Sequence, residues 1–176
     1  PCRKLTLKAP KPLRYAVPIE DIKPLLEACT SVRDKLVVAL LADTGLRLSE
    51  LASIETKDID FGKRVIKIWG KGSKQRVVRY GDLSAQLMGE YESSGNLLGM
   101  TPNAIRLMLD RLGKSTGIKC NAHAFRRTFA TESIRNGMNL FHVQSLLGHS
   151  SLTMTRIYAE QVNSEDAIKA YKAVVR

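Results

Sequence analysis

The chain contains few cysteines: in 176 residues the thiols are Cys2, Cys29 and Cys120. They are too few and too far apart to form the disulfide framework of a small secreted domain. The sequence also lacks an apolar run near the ~20 residues that span a bilayer, and its first residues do not form a signal peptide. These absences disfavour membrane and secreted classes, and we expect a cytoplasmic protein.

Motifs for cofactors are missing as well. The sequence has no glycine-rich phosphate-binding loop and no cluster of carboxylates that would hold paired metals. ATP-driven and two-metal hydrolysis are therefore not indicated. Cys120 and His123 are three residues apart, but no second pair of ligands accompanies them, so we expect no structural zinc site and no cofactor.

Positive charge is abundant. Lysines and arginines number 28 against 17 acidic residues, which gives a net charge of +11 and a pI near 9.8. Such an excess predicts attraction to a polyanion, with an anionic membrane surface as the weaker alternative. Hydrophobic residues make up 44%, a share typical of a globular domain with a core.

The N-terminal residues 1–18 combine cations with four prolines, a composition that opposes helix formation. We interpret them as a basic, extended linker between domains, in which Lys4, Lys8 and Lys11 lie along DNA phosphates. A merely solvated terminus is the alternative. Because the chain begins with Pro1 instead of methionine, we expect a fragment whose folded domain covers residues 19–176.

Hydrophobic periodicity in residues 19–176 predicts a mainly α-helical domain with a small three-stranded antiparallel sheet, an α+β fold. The sheet consists of a hairpin, 64–69 and 75–80, preceded by a short strand around 58–61. Ile105, Leu107, Leu109 and Leu112 are predicted to form the apolar side of one helix. The predicted helices cover 19–41 with a break at 30–31, then a stretch from Leu48, 84–91, 102–113, 123–135, 140–147 and 164–176.

Several residues together supply the parts of a phosphodiester transesterification. That reaction needs a nucleophile, cations on the two non-bridging oxygens and an acid for the leaving oxygen. Arginine is suited to bind the non-bridging oxygens because its planar guanidinium can contact two oxygens at once and stays protonated. We identify Tyr158 as the candidate nucleophile and Arg47 and Arg126 as the candidate phosphate clamp; for each arginine alone, a surface ion pair is the alternative.

A tyrosine nucleophile must lose its proton. The phenol has a pKa of ~10, so the phenolate costs roughly 4 kcal/mol at neutral pH. His123 is three residues before Arg126, so the two are expected on one helical face, where the histidine accepts protons. His149 follows a helix end and is expected to donate to the phosphate. Lys71, at the hairpin tip, is positioned to protonate the departing 5′ oxygen, unless it is an ordinary solvated lysine.

Four sequence blocks, in this order, resemble the tyrosine recombinase family, also called the phage integrase family. They are Ala42-Asp-Thr-Gly-Leu-Arg-Leu-Ser-Glu-Leu51, Gly70-Lys-Gly-Ser-Lys-Gln-Arg76, His123-Ala-Phe-Arg-Arg-Thr-Phe-Ala-Thr131 and Leu146-Leu-Gly-His-Ser-Ser-Leu-Thr-Met-Thr-Arg-Ile-Tyr158. The resemblance covers about residue 18 to the end, which corresponds to the catalytic domain of that family.

The resemblance implies a role for each matching residue. Arg47 and Arg126 would clamp the scissile phosphate, Lys71 would act as the general acid, and His123 would take the proton of the tyrosine. His149 would steady the phosphate, and Tyr158 would form a 3′-phosphotyrosyl link without metal or ATP. Glu50 would support the site without reacting. Further DNA contacts are expected from Lys74, Arg76 and Arg127.

Assembly is also implied by the resemblance. Family members exchange strands through a Holliday junction as tetramers, and the segment 163–176 is expected to dock on a neighbouring protomer or, equally, on its own core. The chain departs from the family in two respects: the segment before His123 is short, and the N-terminal core-binding domain is absent. We therefore expect this chain alone to bind DNA poorly and to be monomeric.

Two other functions remain open from the sequence. A type IB topoisomerase uses the same chemistry but rejoins the original strand. A non-catalytic regulator would instead use residues 131–158 as a helix-turn-helix that binds DNA.

Overall fold

A computed structural model describes residues 15–70, 75–148 and 155 of the chain. These residues form seven α-helices, a single 3₁₀ turn and three strands. In chain order the α-helices are α1 (Ile19–Ala28), α2 (Val32–Thr44), α3 (Leu48–Ala52), α4 (Asp82–Glu90), α5 (Pro102–Thr116), α6 (Ala122–Arg135) and α7 (Leu140–Leu147); the 3₁₀ turn is Thr56–Asp58, and the strands are β1 (Ile59–Asp60), β2 (Val65–Trp69) and β3 (Gln75–Arg79).

Helix α2 lies at the centre of the domain. Its N-cap is Ser31, whose Oγ accepts a hydrogen bond from the Asp34 amide at 3.1 Å, and this confirms the predicted break between α1 and α2. An uninterrupted apolar stretch from Leu36 to Leu41 is buried, because α2 packs against α1, α4 and α6 on different sides. The helix ends at Gly45, whose φ of 59° lies in the left-handed region.

The three strands form an antiparallel sheet in the order β1-β2-β3, as predicted. Ile66 pairs with Val78, and both are buried, while Trp69 and Val77 are exposed. One face of the hairpin therefore packs on the core and the other faces solvent, with the two-residue alternation of a half-buried sheet.

Helix α4 is held at its start by a residue from another helix. Its N-cap position is Gly81, which has no side chain to accept hydrogen bonds. The carboxylate of Asp43 on α2 binds the start of this helix: its Oδ2 accepts from the Gly81 amide at 2.9 Å and from the Ser84 hydroxyl at 2.6 Å. This contact fixes the exit from the sheet against the centre of the domain.

Helix α5 differs from its predicted form. The hydroxyl of Thr101 caps its first turn and Pro102 follows, as predicted, but the helix continues past Gly113 to Thr116. The prediction that Leu107 lies on the apolar side of α5 is wrong, because its side chain is 45% exposed. Met108 is buried in its place. The buried stripe is completed by Ile105, Leu109 and Leu112, as expected.

The end of the predicted linker belongs to the folded domain. Val17 is buried, the hydroxyl of Thr128 donates to its carbonyl oxygen at 2.6 Å, and Arg127 donates to the carbonyl oxygen of Tyr15 at 2.7 Å. Packing on α6 therefore begins by Tyr15, four residues before the predicted boundary. Residues 1–14 and the predicted helix 164–176 lie outside the described residues.

The described part of the chain contains neither a helical membrane span nor a cluster of metal ligands. None of its helices combines the length and the apolarity required to cross a membrane. Among those same residues, histidines, cysteines and acidic side chains nowhere gather in a group of three or more that could ligate a metal ion.

Candidate active site

Arg47 occupies the N-cap position of α3, where the chain turns out of the Gly45 bend. Its amide donates to Oε2 of Glu50 at 2.8 Å and its guanidinium Nη1 donates to Oε1 at 2.9 Å. Glu50 thus caps the helix and holds the arginine side chain at the same time. The Arg47 side chain remains 40% exposed, so part of it is accessible from solvent.

Glu50 is bound by a second arginine. Arg76 on β3 forms a two-pronged ion pair with it, in which Nη1 and Nη2 each donate to a different carboxylate oxygen at 2.8 Å. The side chains of Glu50 and Arg76 are only 6% and 12% exposed. Burial by itself would raise the pKa of Glu50, but the hydrogen bonds and charges of Arg76 and Arg47 prevail and lower it from 4.5 to about 2. The carboxylate is therefore ionised at any physiological pH.

The C-terminal end of α7 gathers three arginines on three consecutive carbonyl oxygens. Arg76 Nε donates to Leu146 at 2.7 Å, Arg126 Nη2 donates to Leu147 at 2.6 Å, and Arg47 Nη2 donates to Gly148 at 3.4 Å. The last carbonyls of a helix have no partners within the helix, and its dipole is negative there. Cations from β3, α6 and the start of α3 therefore converge on one point.

Arg126 is the most buried of these cations, at 5% exposure. Besides Leu147, its guanidinium binds the carbonyl oxygen of Gly45 through Nη1 at 2.7 Å. A buried charge requires such partners, because an uncompensated one would cost several kcal/mol. The result is a guanidinium fixed between the Gly45 bend and the end of α7, close to the segment that also positions Arg47.

His123 lies in the first turn of α6, whose N-cap Asn121 accepts from the Ala124 amide at 2.9 Å. Its side chain is exposed, whereas Arg126 one turn later is buried. Both residues therefore lie in α6, three positions apart, and their side chains occupy different depths.

Two arginines predicted to contact DNA have hydrogen-bond partners within the protein. All three guanidinium nitrogens of Arg76 donate within the protein, to Glu50 and to Leu146. Arg127 binds the Tyr15 carbonyl oxygen and so anchors the N-terminal segment. The inward position of Arg76 was not predicted, although the alternation along β3 places it on the same face as the buried Val78.

Other predicted residues lie outside the described part of the chain. Thr155, three residues before Tyr158, is described and fully buried, so the chain packs against the protein at that point. The residues outside are Lys4, Lys8, Lys11, Lys71, Lys74, His149 and Tyr158.

Comparison with known proteins agrees with this arrangement. The model of the phage integrase family matches residues 17–165, a range that contains all four sequence blocks. The chain belongs to the phage integrase family. The sequence-based assignment of the family is thereby confirmed, and so is the fold class, since solved integrase and recombinase structures share it.

Curated relatives of this family member include two tyrosine recombinases named XerA. The protein of Saccharolobus solfataricus is 37% identical over 147 residues, which cover 81% of this chain and 50% of the relative. The protein of Pyrococcus furiosus is 34% identical over 169 residues, which cover 86% of this chain and 59% of the relative. This chain therefore spans only about half to three fifths of the length of these relatives.

Solved structures show the same relationship. A crystal structure of XerA recombinase superposes with a TM-score of 0.77 at 27% identity, covering 93% of this chain and 64% of the other. The catalytic domain of bacteriophage HP1 integrase gives a TM-score of 0.68 at 26% identity and covers 88% of this chain and 94% of its own length. XerH recombinase in a post-cleavage complex with its difH substrate gives 0.74 at 25%, covering 90% and 53%.

Proposed function

We propose that the chain is the catalytic domain of a site-specific DNA recombinase that cuts and rejoins strands through a 3′-phosphotyrosine. The observation that carries this proposal is the convergence of Arg47 and Arg126 on the last turn of α7. That turn leads directly into the segment with His149 and Tyr158. Two guanidiniums at the helix end that precedes Tyr158 in the chain would supply the phosphate clamp, and Tyr158 would supply the nucleophile.

In the proposed reaction the Oη of Tyr158 attacks the phosphorus and the bond from phosphorus to the 5′ oxygen breaks. His123 accepts the phenolic proton, and Lys71 donates a proton to the departing 5′ oxygen. Arg47, Arg126 and His149 stabilise the charge on the non-bridging oxygens. The ester that forms conserves the energy of the phosphodiester, so a 5′ hydroxyl of another strand can reverse the reaction without a further energy source.

The partners of the proposed enzyme follow from its relatives. Double-stranded DNA is the proposed substrate, because XerH has been captured with DNA before and after cleavage and because this chain carries a net charge of +11. We propose phosphate contacts from Lys4, Lys8, Lys11 and Lys74, which are not used elsewhere in the scheme. A DNA-bound homotetramer, with 163–176 docked on a neighbouring protomer, and a cytoplasmic location complete the proposal.

The proposal can be tested without knowing the DNA site. The chain, supplied with a core-binding domain of the family, is incubated at low ionic strength with a pool of randomised duplexes that each carry a nick, so that a cut near the nick releases a short strand and prevents rejoining. Duplexes that remain attached after denaturing washes are recovered. We expect covalent capture by the wild-type chain and none by Tyr158→Phe, with equal non-covalent DNA binding. Binding without capture by the wild-type chain would contradict the proposal and support the regulator.

The same captured duplexes distinguish the second candidate. A topoisomerase would show little sequence preference in the recovered pool and would relax supercoiled plasmid. A recombinase is expected to yield an enriched sequence and to exchange strands between two copies of it.

A further inference from the structure

We propose that Arg76 is a positioning residue for the cleavage reaction. It binds Glu50, which in turn orients Arg47, and it also binds the last turn of α7. These contacts hold Arg47 and the end of α7 in the geometry that cleavage requires. The inference rests on the proposed function, because it concerns the efficiency of the same phosphate clamp. Arg76 itself is not proposed to touch DNA.

The first support is the shape of the ion pair. Both terminal nitrogens of Arg76 bind Glu50 at 2.8 Å, which orients the carboxylate plane as well as its position. Oε1 of that carboxylate also accepts from Arg47 Nη1 at 2.9 Å. Without Arg76, Glu50 would keep its two hydrogen bonds from Arg47 but would lose its second cation, and the carboxylate would be held from one side only.

The second support is the contact with α7. Arg76 Nε donates to the Leu146 carbonyl oxygen at 2.7 Å, and a Cβ atom built on Gly148 would lie 3.1 Å from Arg76 Nη1. The guanidinium therefore lies flat against the turn that ends α7, where Gly148 has a φ of 63°. One side chain thus links strand β3, the start of α3 and the helix end that precedes His149.

The third support is the charge of the cluster. Two guanidiniums share one buried carboxylate, so the group of Arg47, Glu50 and Arg76 keeps one net positive charge. Arg76 offsets the charge of Glu50, and Arg47 can therefore keep its attraction for an anion. Since Arg76 is 12% exposed and Arg47 is 40% exposed, the anion would meet Arg47.

The test compares Arg76→Gln and Arg76→Lys with Arg79→Gln, an exposed arginine on the same strand. The rate of covalent adduct formation is measured at saturating concentration of one captured nicked duplex, below the unfolding temperature of every variant. We expect Arg76→Gln to be slowed about 10- to 100-fold, since small displacements of a catalytic group have such effects. Arg76→Lys keeps the charge but cannot bind in two prongs, and should stay well below the wild-type rate. Arg79→Gln should match the wild type.

A second measurement reports on position independently of rate. Carboxyl NMR of Glu50 should show titration near pH 2 in the wild type and at higher pH in Arg76→Gln, with Arg79→Gln unchanged. In addition, the double variant Arg76→Gln with Glu50→Gln should form the adduct only slightly more slowly than Glu50→Gln alone, because Arg76 acts through its contact with Glu50.

Each outcome decides the matter. If the wild type forms the Tyr158-dependent adduct and Arg76→Gln is as fast as Arg79→Gln, the positioning role is overturned and the proposed function stands. Full activity of Arg76→Lys would overturn the two-pronged geometry. If the wild type forms no adduct at all, both the function and the inference fall.

Discussion

Arg126 donates a 2.6 Å hydrogen bond to the carbonyl oxygen of Leu147, twenty-one residues further along the chain. The contact is buried and joins the middle of α6 to the final turn of α7. Because Arg126 also binds the Gly45 carbonyl oxygen, a single guanidinium connects two distant family blocks. The stability of the domain and the geometry of the candidate site are therefore coupled at this residue.

Replacing Arg126 by lysine should affect both properties. The ammonium group cannot span two carbonyl oxygens in the fixed geometry of a guanidinium, so we expect the free energy of unfolding to fall by about 1–3 kcal/mol. Adduct formation should slow about 100-fold, a usual loss for one charge-stabilising donor. Urea unfolding and the nicked-duplex assay measure the two effects. Arg106→Lys, on the exposed side of α5, is the matched control; equal losses there would refute the specific role.

The ion pairs of Glu50 predict a pH dependence of stability. Its pKa in the folded protein, about 2, lies below the ordinary value of 4.5, so ionised Glu50 favours the folded state. This contribution is complete above about pH 4.5 and is lost as the pH falls toward 2. We expect the difference in unfolding free energy between wild type and Glu50→Gln to be largest at neutral pH and to shrink between pH 4.5 and 2. A difference that stays constant over this range would contradict the assigned ion pairs.

Gly45 should tolerate no side chain. A Cβ atom would lie 2.6 Å from Cδ1 of Phe129, and the φ of 59° disfavours any residue with a Cβ. Gly45→Ala is expected to lower the unfolding free energy by about 1–3 kcal/mol, from backbone strain and steric overlap together. Gly89→Ala in α4 is the control, because no atom lies within 4 Å of its built Cβ. That variant should be neutral or slightly stabilising. The thermal unfolding of the two variants is compared directly. A higher unfolding temperature for Gly45→Ala than for Gly89→Ala would contradict the account.

Asp43→Ala should loosen the start of α4. The carboxylate accepts from the Gly81 amide and the Ser84 hydroxyl, and its loss removes the contact that joins the first turn of α4 to α2. A loss of about 1 kcal/mol is expected. Amide hydrogen exchange should accelerate first in the N-terminal turn of α4. Faster exchange spread evenly over the domain would instead indicate a general destabilisation.

Much of the fold follows from local sequence signals. Ser31 and the pair Thr101 and Pro102 mark helix starts through chemistry that acts within one turn, and the alternating residues of the hairpin set its register. The family blocks in turn identified Arg47 and Arg126. The structure brings these two together although 79 positions separate them in the chain, because each reaches a carbonyl oxygen at the end of α7.

Other features depend on tertiary contacts that the sequence does not reveal. Gly113 suggested a helix end, but α5 continues past it. A Cβ atom at this position would lie 3.0 Å from the Ile118 carbonyl oxygen, so the glycine permits the segment that follows α5 to pack closely against the helix. The choice between Leu107 and Met108 for the core depends on how α5 is rotated against α1 and α3. Arg76 was predicted to contact DNA because the sequence does not reveal its ion pair with Glu50, which is 26 residues away and on another element.

The central claim is that Tyr158 forms a covalent bond with DNA, and peptide mapping of the captured adduct tests it most directly. The wild-type adduct is digested with protease and nuclease, and the peptide that retains a nucleotide is sequenced by mass spectrometry. We predict a single modified residue, Tyr158, linked to the 3′ end of the cut strand. A nucleotide on any other side chain, or linkage through the 5′ end, would contradict the account.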